Sequence, residues 1–210
     1  MLAIKEKYAV PRRTKLIQGE EEIVVSREDM IVVDDAIVAL LEGGKIRRLP
    51  KRNFTAESLA SEKPVFIMET QTDRRLRFFT SHGNCLIIGV DELPETRLTA
   101  KATNLNSLVQ LEKDEEIVAC FDEVKGDTLV FFTALGNAKR TEGKEFDLRT
   151  KKTAAIALKD DDRVIAVEKQ DATAGTVIMV SKGGMSIRFA TDTVPVMGKG
   201  AGGVKCMKLD

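Results

Sequence analysis

The sequence predicts an all-β protein made of one small unit that occurs four times. An 18-residue pattern fits residues 37–54, 76–93, 129–146 and 177–194 without a gap. In each copy, apolar residues lead to a glycine seven positions after the first residue, and an apolar residue closes the copy ten positions later. The glycines lie 39, 53 and 48 residues apart, a period typical of propeller blades. They are Gly44, Gly83, Gly136 and Gly184.

Each copy is typical of a β-hairpin. A run of β-branched and aromatic residues forms a strand, and the glycine supplies the positive φ that a tight reversal requires. A second strand then leads away from the turn, as in residues 129–146 (LVFFTALGNAKRTEGKEF). A single hairpin cannot bury its own apolar face, so the four hairpins must pack side by side or around an axis.

Further strands are predicted between the hairpins. Apolar runs at 65–68, 117–121 and 164–167 predict a third strand for each unit, and 107–111, 153–158 and 203–209 predict a fourth. This pattern predicts a propeller-like array of about four four-stranded blades, in an incomplete or open ring. Residues 1–22 are predicted to be a helix remnant and linker from an upstream core, and residues 23–210 to be the β domain. The composition of GKGAGG (198–203) predicts a mobile loop.

Composition excludes several classes of protein. Hydrophobic residues make up 43% of the chain and charged residues 31%, which is ordinary for a globular protein and excludes wholesale disorder. No apolar run approaches the ~20 residues that span a bilayer, and the first residues show no signal-peptide pattern. The three cysteines are widely spaced in apolar runs, which predicts reduced core thiols in a cytoplasmic protein.

Side chains that could form an enzyme active site are scarce. His82, the only histidine, lies at a predicted hairpin tip, where turn chemistry accounts for it. The acidic triplets 114–116 and 160–162 could bind a cation, but adjacent strand carboxylates point to opposite faces, so solvated turns are favoured. GKGAGG lacks the Gly-Lys-Ser/Thr of a phosphate loop, and Tyr8 has few basic neighbours. We therefore predict no catalytic, metal or cofactor site in this chain.

Charge is the stronger signal. The chain has 33 basic and 33 acidic residues, but cations follow the hairpin turns and acids lie between the repeats. Lys45, Arg47 and Lys139 fall at period-two positions after their turns, so an array of hairpins would form a cationic belt suited to a curved polyanion. The alternative is that water-facing strands carry cations for solubility and against edge pairing. The second repeat weakens the belt, because no cation follows its turn until Arg97.

Four phrases of the sequence carry a resemblance to a known family. They are GGKIRRLP (43–50), TSHGNCLIIGVDELPE (80–95), FFTALGNAKRT (131–141) and VSKGGMSIRFATDTVPVMGKGAGGVKCMKL (180–209). They resemble successive blades of the C-terminal domain of the type IIA topoisomerase A subunit, which is found in DNA gyrase and topoisomerase IV. The opening IKEKYAVPRRTKL (4–16) resembles the join between that domain and the breakage-reunion core. The resemblance covers nearly the whole chain.

The resemblance implies a β-pinwheel, in which neighbouring blades exchange strands, and a basic outer rim that bends or wraps duplex DNA. It implies a non-catalytic, cytoplasmic, nucleoid-associated domain, monomeric when isolated and without a membrane role. The parent enzyme would use ATP and Mg²⁺ on other domains, with the A-subunit core and the ATPase B subunit as partners. The implied DNA-binding residues are Lys45, Arg47, Arg48, Lys51, Arg52, Arg74, Arg75, Arg97, Lys101, Lys139, Arg140, Lys144, Arg149, Lys151, Lys152, Lys182, Arg188, Lys199 and Lys205.

Two departures from the family qualify this prediction. Gyrase proper carries a basic, glycine-rich box between its first two blades, whereas residues 57–63 here are ESLASEK. This departure argues against strong chiral wrapping and favours a role that is like that of topoisomerase IV or has diverged. The family usually has five or six blades, and four repeats are visible here. The alternative function is a propeller-like scaffold for protein interactions, with no DNA role.

Overall fold

A computed structural model describes residues 30–159, 161–170 and 175–209. The predicted helix remnant and linker (1–22) lie outside the described residues, as do the first residues of the predicted β domain. From Ile31 onward the described residues belong to one compact unit. Within the described part of the chain, no helix has the length and apolar character needed to cross a membrane.

The described residues form fourteen β-strands joined by turns and short 3-10 helices. The strands are β1 (Asp35–Leu41), β2 (Lys45–Pro50), β3 (Pro64–Gln71), β4 (Arg75–Thr80), β5 (Asn84–Gly89), β6 (Thr103–Asn104), β7 (Ile117–Phe121), β8 (Thr128–Thr133), β9 (Asn137–Glu142), β10 (Lys152–Ala154), β11 (Val164–Gln170), β12 (Thr176–Val180), β13 (Ser186–Ala190) and β14 (Val204–Lys205). The 3-10 helices are Lys51–Asn53, Ala56–Glu62, Val90–Glu92, Leu105–Ser107, Gly143–Phe146 and Thr191–Thr193.

The four predicted hairpins are confirmed. They are β1–β2, β4–β5, β8–β9 and β12–β13, each antiparallel and each coinciding with one copy of the repeat. The four turn glycines have φ between +71° and +82°, the left-handed conformation that side chains disfavour. In the second hairpin, the Gly83 amide donates to the Thr80 carbonyl at 3.0 Å, so a β-turn ending in a left-handed glycine reverses the chain.

The strands are exchanged between neighbouring sheets in a regular way. Sheet 1 has the order β3-β1-β2-β6, sheet 2 the order β7-β4-β5-β10, and sheet 3 the order β11-β8-β9-β14. In each case the strand beside the second hairpin strand (β6, β10 or β14) comes from beyond the next hairpin in the sequence. This exchange confirms the predicted pinwheel. In the described residues, sheet 4 consists of the hairpin β12–β13 alone.

The predicted third strands are confirmed, and one predicted fourth strand is wrong. Apolar runs 65–68, 117–121 and 164–167 lie in β3, β7 and β11. Residues 107–111 do not form a strand, because β6 ends at Asn104 and a 3-10 helix follows, capped by the Asn104 side chain. Leu105 and Val109 are buried in this segment, so their apolar character reflects packing between sheets 1 and 2.

Apolar side chains fill the spaces between consecutive sheets. Val38 and Leu40 of sheet 1 pack with Leu76 and Phe78 of sheet 2, and equivalent clusters join sheet 2 to sheet 3 and sheet 3 to sheet 4. The far face of sheet 1 is covered by the 3-10 helix Ala56–Glu62, whose Leu59 is fully buried. The predicted buried thiol is confirmed at Cys85, where burial raises the pKa to about 12.

Candidate nucleic-acid interface

Lys139, a predicted DNA-binding residue, is fully buried. Its side chain has 0% relative exposure, and Nζ donates to the carbonyl oxygens of Gly198, Lys199 and Ala201 at 3.0–3.1 Å. Desolvation lowers the pKa of this amine to about 8, and Glu145 partly opposes the shift. The structure therefore corrects the prediction that Lys139 lies on an outer rim. It also shows that GKGAGG has a structural role, since its carbonyls enclose this ammonium group.

Arg47 occupies the same position in the first repeat and has the same kind of role. It is 3% exposed, and its guanidinium donates to the carbonyls of Arg97 (2.5 Å) and Ala100 (2.7 Å). Glu62, from the 3-10 helix that covers sheet 1, pairs with it at 3.0 Å. Residues 57–63 (ESLASEK) thus contribute a buried leucine and a counter-charge. Arg47 is removed from the predicted rim for the same reason as Lys139.

Arg48 and Arg140, the next residues along, also bind backbone. Arg48 donates to the Val90 carbonyl at 3.3 Å, and Arg140 donates to the Val194 carbonyl at 2.6 Å. Both are partly buried. Three segments carry the chain from a hairpin back to the preceding sheet, and we call them the crossover segments: residues 90–102, 143–151 and 191–203. Arg47 and Arg48 fix the first of them, and Lys139 and Arg140 fix the third.

Strand exchange brings exposed cations from one repeat to the sheet of the repeat before it. In sheet 1, Lys45 lies opposite Asn104 of β6. Arg97 and Lys101 reach the same edge, because Arg47 holds the carbonyls of residues 97 and 100. All three side chains are exposed. All three residues thus lie on or next to the outer strands of sheet 1, although two of them belong by sequence to the second repeat.

The cations missing from the second repeat are supplied by the third. β10 pairs with β5, with Lys152 opposite Leu86, and the Ile87 amide donates to the Lys151 carbonyl at 2.8 Å. Arg149 precedes them in the crossover segment, and all three side chains are exposed. Lys151 pairs with Glu92 at 2.9 Å and Lys152 with Glu112 at 3.0 Å. Such exposed ion pairs are weak and are screened by salt, so these lysines can exchange partners for phosphates.

Sheet 3 repeats the arrangement with residues of the fourth repeat. Lys205 lies on β14 opposite Asn137, and its Nζ donates to the Leu135 carbonyl at 3.0 Å. Lys199 lies in the crossover segment, where its amide donates to Glu145. We call the side of sheets 1–3 formed by β6, β10, β14 and their crossover segments the crossover edge. Its exposed or half-exposed cations are Lys45, Arg97, Lys101, Arg149, Lys151, Lys152, Lys199 and Lys205.

The remaining predicted residues lie elsewhere. Lys51 pairs with Asp35 and Glu69, Arg74 with Glu123, and Lys144 with Glu142. Arg75 is half-buried and donates to the Leu148 carbonyl. Arg52 is exposed after β2, and Lys182 and Arg188 are exposed on the last hairpin.

The sequence interpretation missed a role for the acidic clusters. Glu115, 7% exposed, precedes β7 and accepts from Thr80 Oγ1 at 2.5 Å and from Asn84 Nδ2 at 2.8 Å at the tip of hairpin β4–β5. Burial opposes its ionisation, but hydrogen bonds from Asn84, the Glu112 amide and Thr80 outweigh this and lower the pKa. A carboxylate therefore fastens the incoming strand to the hairpin, an arrangement that we call the acid latch.

The third repeat has the same acid latch. Asp162 precedes β11 and accepts from the Leu135 amide at 3.0 Å and from Asn137 Nδ2 at 3.1 Å. Its pKa is lowered because these bonds, with those from Thr133 and the Arg163 amide, outweigh the effect of burial. The threonine and asparagine four residues apart at each tip were the signal that could have revealed this arrangement.

One group of side chains meets the distance requirement for a metal site among the residues that the structure describes. Potential ligand atoms of His82, Glu112 and Glu115 lie within 4.8 Å of one another. Lys152 already pairs with Glu112, and Glu115 is occupied by the latch hydrogen bonds. These side chains form an ion-pair network with Lys152. A metal cation bound there would be repelled by the charge of Lys152.

These features define a class of protein: a β-pinwheel with exchanged strands and cations along one edge of consecutive sheets. The family model described as "DNA gyrase C-terminal domain, beta-propeller" matches residues 78–121, 127–171 and 175–210. These segments make up more than half of the chain, which therefore belongs to this family.

Named relatives agree with this membership. The A subunit of DNA topoisomerase 4 from Streptococcus pneumoniae is 33% identical, over 98% of this chain and 27% of the relative. The A subunit of DNA gyrase from Haloquadratum walsbyi is 30% identical, over 100% of this chain and 26% of the relative. The crystal structure of the C-terminal domain of DNA topoisomerase IV superposes with a TM-score of 0.77 at 26% identity, covering 86% of this chain and 59% of that chain. The chain spans about a quarter of the length of these curated relatives.

Proposed function

We propose that this chain is a non-catalytic domain of a type IIA topoisomerase A subunit that binds duplex DNA along the crossover edge. The observation that carries the proposal is the strand exchange, which supplies exposed cations to the same edge of three consecutive sheets. A run of cations at successive sheets suits the phosphates of a duplex that passes from one sheet to the next. Binding of this kind depends on phosphate neutralisation and counterion release, and therefore has little sequence preference.

The proposal extends to the parent enzyme. The domain would hold DNA beside the A-subunit core, with the ATPase B subunit, ATP and Mg²⁺ acting elsewhere in the assembly. Isolated, it would be a monomer, and in the cell it would be found with the nucleoid. Residues 57–63 lie over sheet 1, and their single cation, Lys63, pairs with Glu42. This supports modest bending of DNA over strong chiral wrapping, as in topoisomerase IV.

The test measures affinity for a duplex of ~40 base pairs as a function of salt. Two triple variants remove the charge of one sheet each: Lys45→Gln/Arg97→Gln/Lys101→Gln, and Arg149→Gln/Lys151→Gln/Lys152→Gln. Each should weaken binding and reduce the slope of log affinity against log salt by about one for each phosphate that is no longer neutralised, so by up to about three.

A matched control removes three exposed lysines from the opposite side of the sheets: Lys63→Gln/Lys125→Gln/Lys169→Gln. Lys63 precedes β3, Lys125 follows β7, and Lys169 lies on β11. The control should bind DNA with nearly the wild-type slope. Equal losses in the edge variants and the control would show that net charge alone matters. Absence of binding at low salt would favour the alternative of a protein-interaction scaffold.

A further inference from the structure

The first and third crossover segments contain the same turn. Residues 97–100 and 198–201 each form a turn in which the amide of the fourth residue donates to the carbonyl of the first, at 3.0 Å in both. We call these two turns the edge turns. Four residues after each turn ends, Asn104 and Lys205 stand opposite the first residues of β2 and β9. The edge turns therefore occupy equivalent places beside sheets 1 and 3.

A buried cation holds both ends of each edge turn. Arg47 donates to the carbonyls of the first and fourth residues of turn 97–100, at 2.5 and 2.7 Å. Lys139 donates to the carbonyls of the first and fourth residues of turn 198–201, both at 3.1 Å, and to that of Lys199 at 3.0 Å. Both donors are shielded from water, and hydrogen bonds from a charged donor are stronger than neutral ones. Each turn is therefore firmly attached to its hairpin.

The edge turns carry exposed charges of the crossover edge. Arg97 begins the first turn and Lys101 follows it, while Lys199 lies within the second. Their side chains are exposed or half-exposed, whereas the carbonyls of Arg97 and Lys199 accept from the buried cations. The same residue thus offers its side chain to solvent and its carbonyl to the hairpin. The position of an exposed charge therefore depends on a charge that lies inside the protein.

Sheet 2 provides an internal contrast. Its residue three positions after the turn glycine is Leu86, where sheets 1 and 3 have Arg47 and Lys139. The pairing of β10 with β5 extends as far as Leu86, which stands opposite Lys152. In sheets 1 and 3 the pairing of the outer strand stops one residue short of the buried cation. The cation thus holds the crossover segment at the point where backbone pairing ends.

We propose that Arg47 and Lys139 are positioning residues for DNA binding, each holding its edge turn so that the exposed cations of that turn are in place before a duplex arrives. This inference rests on the proposed function of the crossover edge. Both side chains are buried, so neither neutralises a phosphate or releases a counterion. Without its buried cation, an edge turn has to be ordered when DNA binds, at a cost in conformational entropy. Affinity then falls by the same factor at every salt concentration, and the salt slope does not change.

A double-mutant cycle in the full chain tests the link between Arg47 and its own turn. Arg47→Met should weaken binding to a duplex of ~40 base pairs by roughly three- to tenfold, with an unchanged salt slope. In the Arg97→Gln/Lys101→Gln background, Arg47→Met should have little further effect, because the charges that it positions are gone. In the background of the sheet 2 triple variant, its full effect should remain, since those cations are held by β10.

Lys139 provides a second, independent cycle. Lys139→Met should weaken DNA binding of the otherwise wild-type chain and have little effect in the Lys199→Gln background. Arg47→Lys covers the case in which Arg47→Met does not fold, because it keeps the buried charge. A single ammonium cannot reproduce the forked guanidinium, so this variant should lose affinity in the same direction by a smaller factor. Urea unfolding confirms that each variant is folded under the conditions of the binding assay.

The outcomes separate this inference from the proposed function. If Arg97→Gln/Lys101→Gln leaves DNA affinity unchanged, the proposed role of the crossover edge in sheet 1 is wrong. If that variant binds more weakly, but folded Arg47→Met has wild-type affinity or an effect that simply adds to it, the positioning role is overturned. A smaller salt slope in Arg47→Met would also overturn it, because Arg47 would then neutralise a phosphate itself.

Discussion

At the scale of single residues, the cations of this domain divide into two groups with different roles. Arg47 and Lys139 are buried and donate to backbone carbonyls of the crossover segments. Lys45, Lys101 and their neighbours remain in contact with solvent. A buried cation contributes to the fold by satisfying carbonyls that would otherwise lack donors. Only the second group is available to neutralise phosphates.

Replacing Lys139 by methionine tests this division. The three carbonyls that enclose the buried amine would lose their donor, so the free energy of unfolding should fall by about 2–4 kcal/mol, measured by urea denaturation. Lys125→Met, at an exposed site, should leave stability within about 0.5 kcal/mol of wild type. Where the Lys139 variant is folded, the salt slope of DNA binding should match wild type. A slope smaller by about one would place Lys139 on the DNA.

The acid latches predict a specific sensitivity to acid. Both carboxylates have a lowered pKa in the folded state, so below about pH 4.5 the unfolded chain takes up protons first. The stabilisation is complete above the unfolded pKa and is lost as pH falls through the lowered folded value. The variant Glu115→Gln/Asp162→Asn should be less stable at pH 7, and its stability should depend less steeply on pH between about 5 and 3.

The neighbouring acids provide a control for the latch prediction. Glu116 and Asp161 are exposed, so Glu116→Gln/Asp161→Asn removes the same charge with no latch bond. This variant should keep the steep acid dependence of wild type in denaturant unfolding at each pH. Identical behaviour of the two double variants would mean that net charge, and not the latch, sets the acid response.

At the scale of elements, the turn glycines differ in what surrounds them. Gly44 and Gly136 both have positive φ, of +71° and +78°, but a Cβ on Gly44 would meet nothing within 4 Å. On Gly136 it would lie 2.4 Å from the Met207 carbonyl oxygen. This contact exists because the Cys206 and Met207 amides donate to the Gly136 carbonyl, which seats β14 against the turn.

Alanine at the two positions should therefore have unequal effects. Gly44→Ala should cost about 1–2 kcal/mol for the left-handed conformation alone. Gly136→Ala adds a steric clash with backbone, and its cost should be at least about 2 kcal/mol larger. Chemical denaturation of both variants measures the difference. Equal costs would mean that the segment after β14 is not held against the turn.

The hairpins were predictable from sequence because the residues that form each hairpin are adjacent in the chain. The four glycines at equal offsets and the flanking apolar runs define turn and strands within 18 residues. The exchange of β6, β10 and β14 depends on contacts between residues more than fifty positions apart, such as Arg47 with Ala100. A period-two pattern places Lys45 and Lys139 on the same face of their strands. It cannot show that Lys139 will be covered by the segment that contains Gly198, because that segment lies about sixty residues away in the sequence. The predicted belt is therefore the part that the structure changed most.

At the scale of the whole molecule, each sheet is stabilised mainly by its neighbours. The apolar clusters join sheets 1 and 2, 2 and 3, and 3 and 4, so stability is expected to vary along the array as in other repeat proteins. The strands of hairpin β4–β5 are buried on both faces, whereas Thr176, Ile178 and Val180 of β12 are exposed. Among the described residues, the last hairpin therefore packs against sheet 3 through one face, and the alternate side chains of β12 are exposed.

Hydrogen exchange under native conditions should reveal this gradient. Amides paired within β4–β5 and β8–β9 should open only with global unfolding. Those within β12–β13 should open with a free energy lower by about 2–3 kcal/mol, since fewer apolar contacts oppose local opening. Uniform protection across the four hairpins would instead mean that the array unfolds as one cooperative unit, with the last hairpin held as firmly as the others.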